Sequence, residues 1–124
     1  TGVLSAVAGS PFAAGTTPNG ITVEPTGQFL YVANGGGTVS AYTITAGTGV
    51  LSAVAGSPFA AGTTPNGITV EPTGQFLYVA NGGGTVSAYT ITAGTGVLVP
   101  LGAGVGNPFS AGTTPRGIAT PGRP

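Results

Sequence analysis

The chain has 124 residues and only four charged side chains, two basic and two acidic, so its formal net charge at pH 7 is zero. So few cations exclude nucleic acid as a partner and give no attraction to an anionic membrane surface. Cysteine and histidine are both absent, which excludes disulfides, thiolate metal sites and a histidine general base.

The sequence repeats itself with a period of 47 residues, because residues 1–47 and 48–94 are identical. A third copy begins at Thr95, gains three residues in the segment VPLGAGVGNPF, and ends with RGIATPGRP. Gly and Pro are abundant, but 40% of the residues are hydrophobic, which argues against a disordered chain. A period of this length is typical of a four-stranded propeller blade.

The sequence pattern of each copy predicts four strands, which are described here in chain order. A short apolar segment ends at an EPTG turn, a strand rich in aromatic and β-branched residues follows, and an NGGG turn joins it to the next strand as a hairpin. An AGTG turn then leads to the last strand, and a Gly/Ser/Pro/Thr stretch leads to the next copy. In the first copy the predicted strands are residues 21–23, 28–33, 38–44 and 50–55, and residues 56–67 are the connection.

These elements predict an all-β fold of four-stranded antiparallel β-propeller blades. Residues 29–33 are consecutively apolar, so both faces of that strand must be buried, as they are in a blade between two others. A stacked solenoid and a fibrillar cross-β arrangement are the alternatives. No segment is predicted to cross a membrane, because the long uncharged stretch is interrupted by Gly, Pro, Asn and Ser.

The phase of the strands divides the chain into two whole blades and two single strands. Propellers need four to eight blades, so the chain is predicted to be an incomplete ring. We expect it to be the C-terminal part of a larger propeller or a piece that associates with its own kind, with Thr1 not a native translation start. The predicted parts are residues 1–15 (outer strand of a preceding blade), 16–62 and 63–112 (full blades), and 113–124 (innermost strand of a closing blade).

The segment LYVAN at residues 30–34 and 77–81, between PTGQF and GGGTVSAY, resembles the YVTN-type β-propeller repeat. That repeat is shared with the lactonase-like (6-phosphogluconolactonase-like) propellers. The segments PNGI at 18–21 and 65–68 and PRGI at 115–118 resemble the start of its innermost strand. The resemblance implies a propeller and, for the enzymes of the family, hydrolysis of a sugar lactone at the mouth of the ring. Because the repeat is found in many secreted and surface proteins, we expect an extracellular or cell-surface location.

The resemblance also marks candidate ligand contacts. Members of the family commonly carry Arg-His after the conserved Pro of the innermost strand, whereas this chain has Asn-Gly, Asn-Gly and Arg-Gly in its three copies. Only Arg116 matches, and the histidine is missing throughout. We therefore take Arg116, Asn19 and Asn66 as the candidate ligand contacts, and we predict no catalytic, cofactor-binding or metal-binding residue and no cofactor.

The other polar and aromatic residues that stand out have structural interpretations. Glu24 and Glu71 are predicted to cap or solvate the EPTG turn, and Asn34 and Asn81 are predicted to form turns in the left-handed (αL) region. The three glycines that follow each of these asparagines lack the Lys-Ser/Thr and the helix of a phosphate-binding loop. The Pro-linked phenylalanines are predicted to fill the interface between blades, and two tyrosines to present a hydroxyl at its rim: Phe12, Phe59, Phe109, Tyr42 and Tyr89.

The first functional hypothesis is a non-enzymatic propeller module, a scaffold or binding platform that self-associates or belongs to a larger secreted or surface propeller. The second is a fragment of a lactonase-like sugar-lactone hydrolase whose catalytic groups lie in other blades. The third is a subunit of an extracellular fibre in which open blade faces stack from chain to chain. The expected partners are therefore further copies of this chain or the remaining blades of a longer propeller.

Overall fold

The computed structural model describes residues 2–102 and 107–120, which contain ten β-strands and no helix. The prediction of an all-β fold with antiparallel sheets is thereby confirmed. The segment in which the third copy gains three residues includes residues 103–106, which lie outside the described residues, as do Thr1 and residues 121–124 of the predicted closing strand. The strands are β1 (Pro18–Val23), β2 (Phe29–Asn34), β3 (Thr38–Ile44), β4 (Leu51–Ala53), β5 (Phe59–Ala60), β6 (Pro65–Val70), β7 (Phe76–Asn81), β8 (Thr85–Ile91), β9 (Leu98–Pro100) and β10 (Phe109–Ser110).

The strands form two sheets of the same design, blade 1 from β1 to β5 and blade 2 from β6 to β10. In blade 1, β1, β2 and β3 pair in order and antiparallel, and β4 and β5 both pair with the outer edge of β3. The fourth strand is therefore present in two pieces. The predicted connection at residues 56–67 is wrong in this respect, since Phe59 and Ala60 belong to the sheet.

A side chain bridges the gap in the outer strand. Between β4 and β5 the chain turns away from the sheet, and the hydroxyl of Ser57 accepts the hydrogen bond from the Ala41 N–H at 2.9 Å. In blade 2 the same place is taken by Asn107, whose amide both accepts from the Ala88 N–H and donates to the Ala88 carbonyl, each at 3.0 Å. The two side chains thus supply acceptors for the Ala41 and Ala88 N–H groups at the place where the outer strand is interrupted.

Alternation along the strands gives each blade two apolar faces. The core of the molecule is the place where the front face of blade 1 packs against the back face of blade 2. The front face comprises Phe29, Tyr31, Ala33, Val39 and Ala41 in blade 1, and Phe76, Tyr78, Ala80, Val86 and Ala88 in blade 2. The back face comprises Ile21, Val23, Leu30, Val32 and Tyr42 in blade 1, and Ile68, Val70, Leu77, Val79 and Tyr89 in blade 2.

The turn that precedes β9 closes one end of this core. The hydroxyl of Tyr31, a fully buried residue, donates to the Gly96 carbonyl at 2.9 Å. Gly96 has a φ of 74° and lies directly over the ring of Phe29, so that a Cβ at this position would come within 2.8 Å of Phe29 Cε1. Burial raises the pKa of the Tyr31 phenol, with a smaller contribution from the charge of Glu24. The phenol therefore keeps its proton and serves as a donor.

The aromatic residues of the connections differ in their surroundings. Phe59 is half-buried and packs against the core, and Phe12 is also half-buried, whereas Phe109 is largely exposed. The tyrosine hydroxyls predicted at the rim are each bonded to the segment that precedes the blade. Tyr42 donates to the Ala13 carbonyl, and Tyr89 donates to the Ala60 carbonyl.

The two end segments lie against the blades without joining the sheets. Residues 2–14 run beside the back face of blade 1 and contain no strand. Residues 111–120, all of which the structure describes, also contain no strand, although residues 113–124 were predicted to include one. Thr120 nevertheless donates from Oγ1 to the Val70 carbonyl at 3.1 Å, so this segment lies alongside β6. The described residues contain no second strand of that blade with which this segment could pair.

Candidate functional site

The structure brings the candidate ligand contacts together along the innermost strands. Asn19 lies in β1, Asn66 lies at the corresponding position of β6, and Arg116 lies in the segment beside β6. We call these three residues the inner-strand row. Nδ2 of Asn19 donates to the Pro65 carbonyl at 3.0 Å and to Oδ1 of Asn66 at 3.1 Å.

The backbone spacing along the row depends on glycine. A Cβ on Gly20 would lie 3.0 Å from the carbonyl oxygen of Asn66, and a Cβ on Gly67 would lie 2.7 Å from the carbonyl oxygen of Arg116. Residue 116 therefore approaches β6 much as residue 66 approaches β1. The Asn-Gly and Arg-Gly pairs, which the resemblance identified as departures from the family motif, thus allow neighbouring inner strands to come close.

A β-bulge sets the direction of the asparagine side chains. The β1–β2 register shifts between Pro18 and Gly20, so Asn19 is the additional residue, and β6 and β7 repeat the shift at Asn66. Bulges turn a side chain away from the regular alternation and are frequent beside active sites. Asn19 therefore points along the row instead of into either face of the blade.

A threonine with an unusual backbone conformation lies two residues before each member of the row. Thr17, Thr64 and Thr114 have φ values of 54°, 55° and 48°, a region that β-branched residues rarely adopt. In blade 1 the strained turn is held by the glycines after β2, because the Gly35 N–H donates to the Thr17 carbonyl at 2.7 Å. Sequence reasoning missed this feature, and the Thr-Pro pairs were the only local signal for it.

The glycine turns support the row and are not a phosphate cradle. The N–H groups of Gly35, Gly36 and Gly37 all donate to backbone carbonyls within the protein. A Cβ on Gly35 would lie 3.0 Å from Nδ2 of Asn19, and the equivalent atom on Gly82 would lie 2.8 Å from Nδ2 of Asn66. The turns therefore confine the two amides from the side.

Asn34 has a different role from the one predicted. It ends β2 with an ordinary strand backbone, and the positive φ of the turn falls on Gly37 at 105°. The side chain is fully buried, with Oδ1 accepting from the Gly15 N–H at 3.2 Å and Nδ2 donating to the hydroxyls of Thr38 and Ser40. Asn34 therefore ties the segment before β1 to the hairpin β2–β3.

The two carboxylates cap turns at the far end of the innermost strands. Glu24 accepts hydrogen bonds from the N–H groups of Thr26, Gln28 and Phe29 and from the Thr26 hydroxyl. Glu71 has the equivalent four donors. Burial by itself raises the pKa of Glu24, but the hydrogen bonds outweigh it and hold the pKa below its usual value.

The carboxylates are too distant to act at the inner-strand row. Glu24 follows β1 five residues after Asn19, a separation of about 16 Å in an extended strand. Glu71 stands in the same relation to Asn66. The chemistry of the row is thus limited to amide hydrogen bonding and the positive charge of Arg116, which suits hydroxyl, carbonyl and anionic groups of a ligand.

The described residues contain neither a metal-binding cluster nor a membrane-spanning helix. Residues 2–102 and 107–120 hold no group of three or more acidic, histidine or cysteine side chains arranged to bind a metal ion. The same residues include no helix long and apolar enough to span a bilayer.

Comparison with known proteins identifies the relationship. The model of the lactonase family, seven-bladed β-propellers, matches residues 2–111. Among curated proteins no match was found. The resemblance inferred from the LYVAN segments is confirmed by the family match.

Solved structures show the same fold. A candidate 6-phosphogluconolactonase from Bacteroides fragilis is 23% identical, with a TM-score of 0.63 over 68% of this chain and 24% of its own. A second, from Bacteroides uniformis, is 22% identical, with a TM-score of 0.62 over 66% and 24%. Hydrazine synthase from Kuenenia stuttgartiensis is 24% identical, with a TM-score of 0.59 over 91% of this chain and 29% of its own.

These comparisons correct one prediction. The chain spans about a quarter of the length of the structures that it matches, in agreement with an incomplete ring. The prediction of a non-enzymatic module is wrong, because the matching family is one of lactonases, which are enzymes. The hypothesis of a lactonase-like fragment, given above as an alternative, is the better supported one.

Proposed function

The chain belongs to the lactonase family of seven-bladed β-propellers, and on that premise we propose that it supplies blades to a propeller that hydrolyses a sugar lactone. The observation that carries the proposal is the inner-strand row, where Asn19 and Asn66 are bonded to each other and followed by Arg116. The resemblance to the family's innermost strand implies that these positions lie near the mouth of the ring. A sugar lactone presents hydroxyl and carbonyl groups that suit the amides.

The row contributes binding and orientation to this reaction. Lactone hydrolysis requires a group that takes a proton from water within hydrogen-bond distance. Glu24 and Glu71 are engaged in turns at the other end of the strands. We therefore assign proton transfer to blades that this chain does not carry.

The positive charge of Arg116 favours lactones that carry an anionic group. A guanidinium forms bidentate hydrogen bonds with phosphate or carboxylate, and such charge-assisted bonds are stronger than neutral ones. The two Bacteroides proteins are described as candidates for an enzyme that acts on a phosphorylated sugar lactone. We accordingly expect a lactone with an anionic substituent to be preferred over its neutral counterpart.

The test uses the complete propeller that contains these blades. It measures the hydrolysis of glucono-δ-lactone and of its 6-phosphate, with the uncatalysed rate subtracted. Arg116→Ala should raise KM for the phosphorylated lactone by about tenfold or more and leave the neutral lactone unaffected, because it removes one charge-assisted contact. Gln75→Ala, at an exposed turn position, is the matched control and should change neither value.

Two negative results have different meanings. Hydrolysis of both lactones at the uncatalysed rate would contradict the proposed activity. Hydrolysis that is rapid but equally insensitive to Arg116→Ala and Gln75→Ala would leave the activity standing and contradict the role of the inner-strand row.

A further inference from the structure

The hydrogen bonds of the inner-strand row run in one direction, from each residue toward the next copy. Nδ2 of Asn19 uses both of its hydrogens, one on the Pro65 carbonyl and one on Oδ1 of Asn66. The second bond orients the Asn66 amide, because Oδ1 faces Asn19 and Nδ2 therefore faces away from it. Asn19 has no donor left, whereas Asn66 keeps its donor for the residue that follows in the row.

The two amides adopt the same conformation in their blades. A Cβ on Gly35 would lie 3.0 Å from Nδ2 of Asn19, and a Cβ on Gly82 would lie 2.8 Å from Nδ2 of Asn66. The same β-bulge occurs at both asparagines. Nδ2 of Asn66 therefore points toward the third copy, as Nδ2 of Asn19 points toward the second.

Arg116 occupies the next position of the row. Its carbonyl oxygen lies 2.7 Å from the place of a Cβ on Gly67, just as that of Asn66 lies 3.0 Å from the place of a Cβ on Gly20. The third copy thus presents a guanidinium where the second presents an amide, and a guanidinium has five donors and no acceptor. Among the described residues, Nδ2 of Asn66 has no acceptor, although the equivalent atom of Asn19 has two.

The missing acceptor does not result from the ends of the chain. Asn66 lies between Asn19 and Arg116, and both of these neighbours belong to the chain. The first supplies a donor and the second a cation, so neither side of the row offers an acceptor to Nδ2. Glu24 and Glu71, the only acidic residues in the sequence, are bonded within turns at the far end of the innermost strands.

From the direction of the row we infer that Asn66 and Arg116 together bind a phosphate group, with Asn19 as the residue that positions the Asn66 amide. A phosphate oxygen is an acceptor for both side chains, and N–H bonds to an anion are stronger than bonds between neutral groups. Asn66 is half-buried and Arg116 is exposed, so a ligand can reach both donors. The inference rests on the proposed function for the source of the phosphate, the 6-phosphate of the lactone, and adds the second residue that recognises it.

A phosphate group suits this pair of donors better than a carboxylate does. The fork of a guanidinium forms two parallel bonds with a carboxylate and so engages both of its oxygens. A phosphate ester has three terminal oxygens, so that one oxygen remains for the amide. The pair of residues therefore favours phosphate.

The first test titrates inorganic phosphate into the complete propeller that contains these blades and measures the heat of binding. Arg116→Ala should weaken binding about tenfold or more, because it removes bonds to a charged group. Asn66→Leu keeps the approximate shape of the side chain without its donor and should have a similar effect. Gln75→Ala, at an exposed turn position, is the matched control and should bind as the parent does. No binding by the parent, or binding that Asn66→Leu leaves unchanged, would overturn the inference.

A second variant keeps the inference testable if Asn66→Leu does not fold. Asn66→Asp has the shape of the native side chain and still accepts from Asn19, but it presents an acceptor to Arg116 in place of a donor. Phosphate binding should be lost, because the new carboxylate repels phosphate and pairs with the guanidinium. A folded Asn66→Asp variant that binds phosphate as tightly as the parent would contradict the assigned contact.

The side-chain amide signals of the two asparagines in nuclear magnetic resonance spectra distinguish contact from positioning. Phosphate should shift the signals of Asn66 and leave those of Asn19 nearly unchanged, because the hydrogens of Asn19 are bonded within the protein. Asn19→Leu removes the bond to Oδ1 of Asn66 and should weaken phosphate binding about fivefold, with a smaller shift of the Asn66 signals. Equal shifts at both asparagines in the parent would show that Asn19 is not a positioning residue.

Two further measurements separate this inference from the proposed function. Acetate, a carboxylate probe, should bind at least about tenfold more weakly than phosphate, and equal or tighter binding of acetate would overturn the assignment to phosphate. Phosphate binding as described without lactone hydrolysis would contradict the proposed function alone. Rapid hydrolysis by a propeller that does not bind phosphate would contradict this inference alone.

Discussion

Blades 1 and 2 contain the same 47-residue sequence and differ in what surrounds them. The back face is covered by another blade in blade 2 but not in blade 1, so Val23 is 47% exposed while Val70 is 8% exposed. The front face shows the reverse, with Tyr31 fully buried and Tyr78 half-buried. Strand pairing and register are nonetheless the same in the two blades. Local sequence thus determines the sheet, and the neighbouring blade determines which face becomes core.

The stability of this chain can be divided into contributions from the blades and from the interface between them. In repeat architectures it is close to the sum of the stability of each unit and of each interface between neighbours. Because the units here are equal in sequence, a pair of identical substitutions in the two blades isolates the interface contribution.

The largest difference is expected for truncation of a back-face leucine. Leu77 is fully buried in the core, so Leu77→Ala should lower the free energy of unfolding by about 2–5 kcal/mol, from lost burial and the cavity that remains. Leu30, its counterpart on the open face, is only half-buried, so Leu30→Ala should cost about 1 kcal/mol. Urea denaturation of dilute, monomeric protein measures both. Equal losses would mean that the blades do not pack as described.

The second pair concerns the turn that closes the core. Gly96 and Gly49 both have a positive φ, at 74° and 77°, so an alanine at either position is strained by about 1–2 kcal/mol. Only Gly96 is covered by Phe29, so Gly96→Ala should lose about 1–3 kcal/mol more from overpacking. The difference between the two urea midpoints reports the packing alone. A Gly49→Ala variant as unstable as Gly96→Ala would contradict this contact.

Much of the fold was predictable because its signals are local. The apolar run at residues 29–33 and the glycine turn after it define β2 and β3 to within a residue. The outer strand was predicted as residues 50–55 and is found as β4 and β5. Its second piece depends on the Ser57 hydroxyl, which replaces a backbone acceptor for Ala41. Nothing in the local pattern indicates that substitution.

The candidate residues could be chosen from the sequence, but their arrangement could not be predicted from it. The resemblance identified residues 19, 66 and 116, but the hydrogen bond from Asn19 to Asn66 joins side chains a full repeat apart. Asn34 was misassigned for a similar reason, since its oxygen accepts from Gly15, which precedes it by 19 residues. Contacts of this kind follow from the packing of neighbouring strands, which no single repeat contains.

The smallest expected effect concerns acid stability and distinguishes the two glutamates. Hydrogen bonds from the turn lower the pKa of Glu71 to about 2, against a raising effect of burial. The same bonds lower the pKa of Glu24, where the neighbouring turn at Gly74 lies over the carboxylate and its burial offsets more of the decrease. Both groups bind protons more weakly in the folded than in the unfolded chain.

Because the folded pKa values are depressed, both carboxylates stabilise the fold fully above the unfolded value near 4.5, and this contribution is lost as the pH falls toward 2. Urea midpoints measured across this range should therefore decline, and Glu71→Gln should remove more of the decline than Glu24→Gln, since the pKa of Glu71 is lowered further. At neutral pH each variant should also be less stable than the parent, because a neutral amide is a weaker acceptor for the turn. Equal slopes in the two variants would show that the cover over Glu24 does not affect its ionisation, and the two identical turns would then be electrostatically equivalent despite the difference in their neighbours.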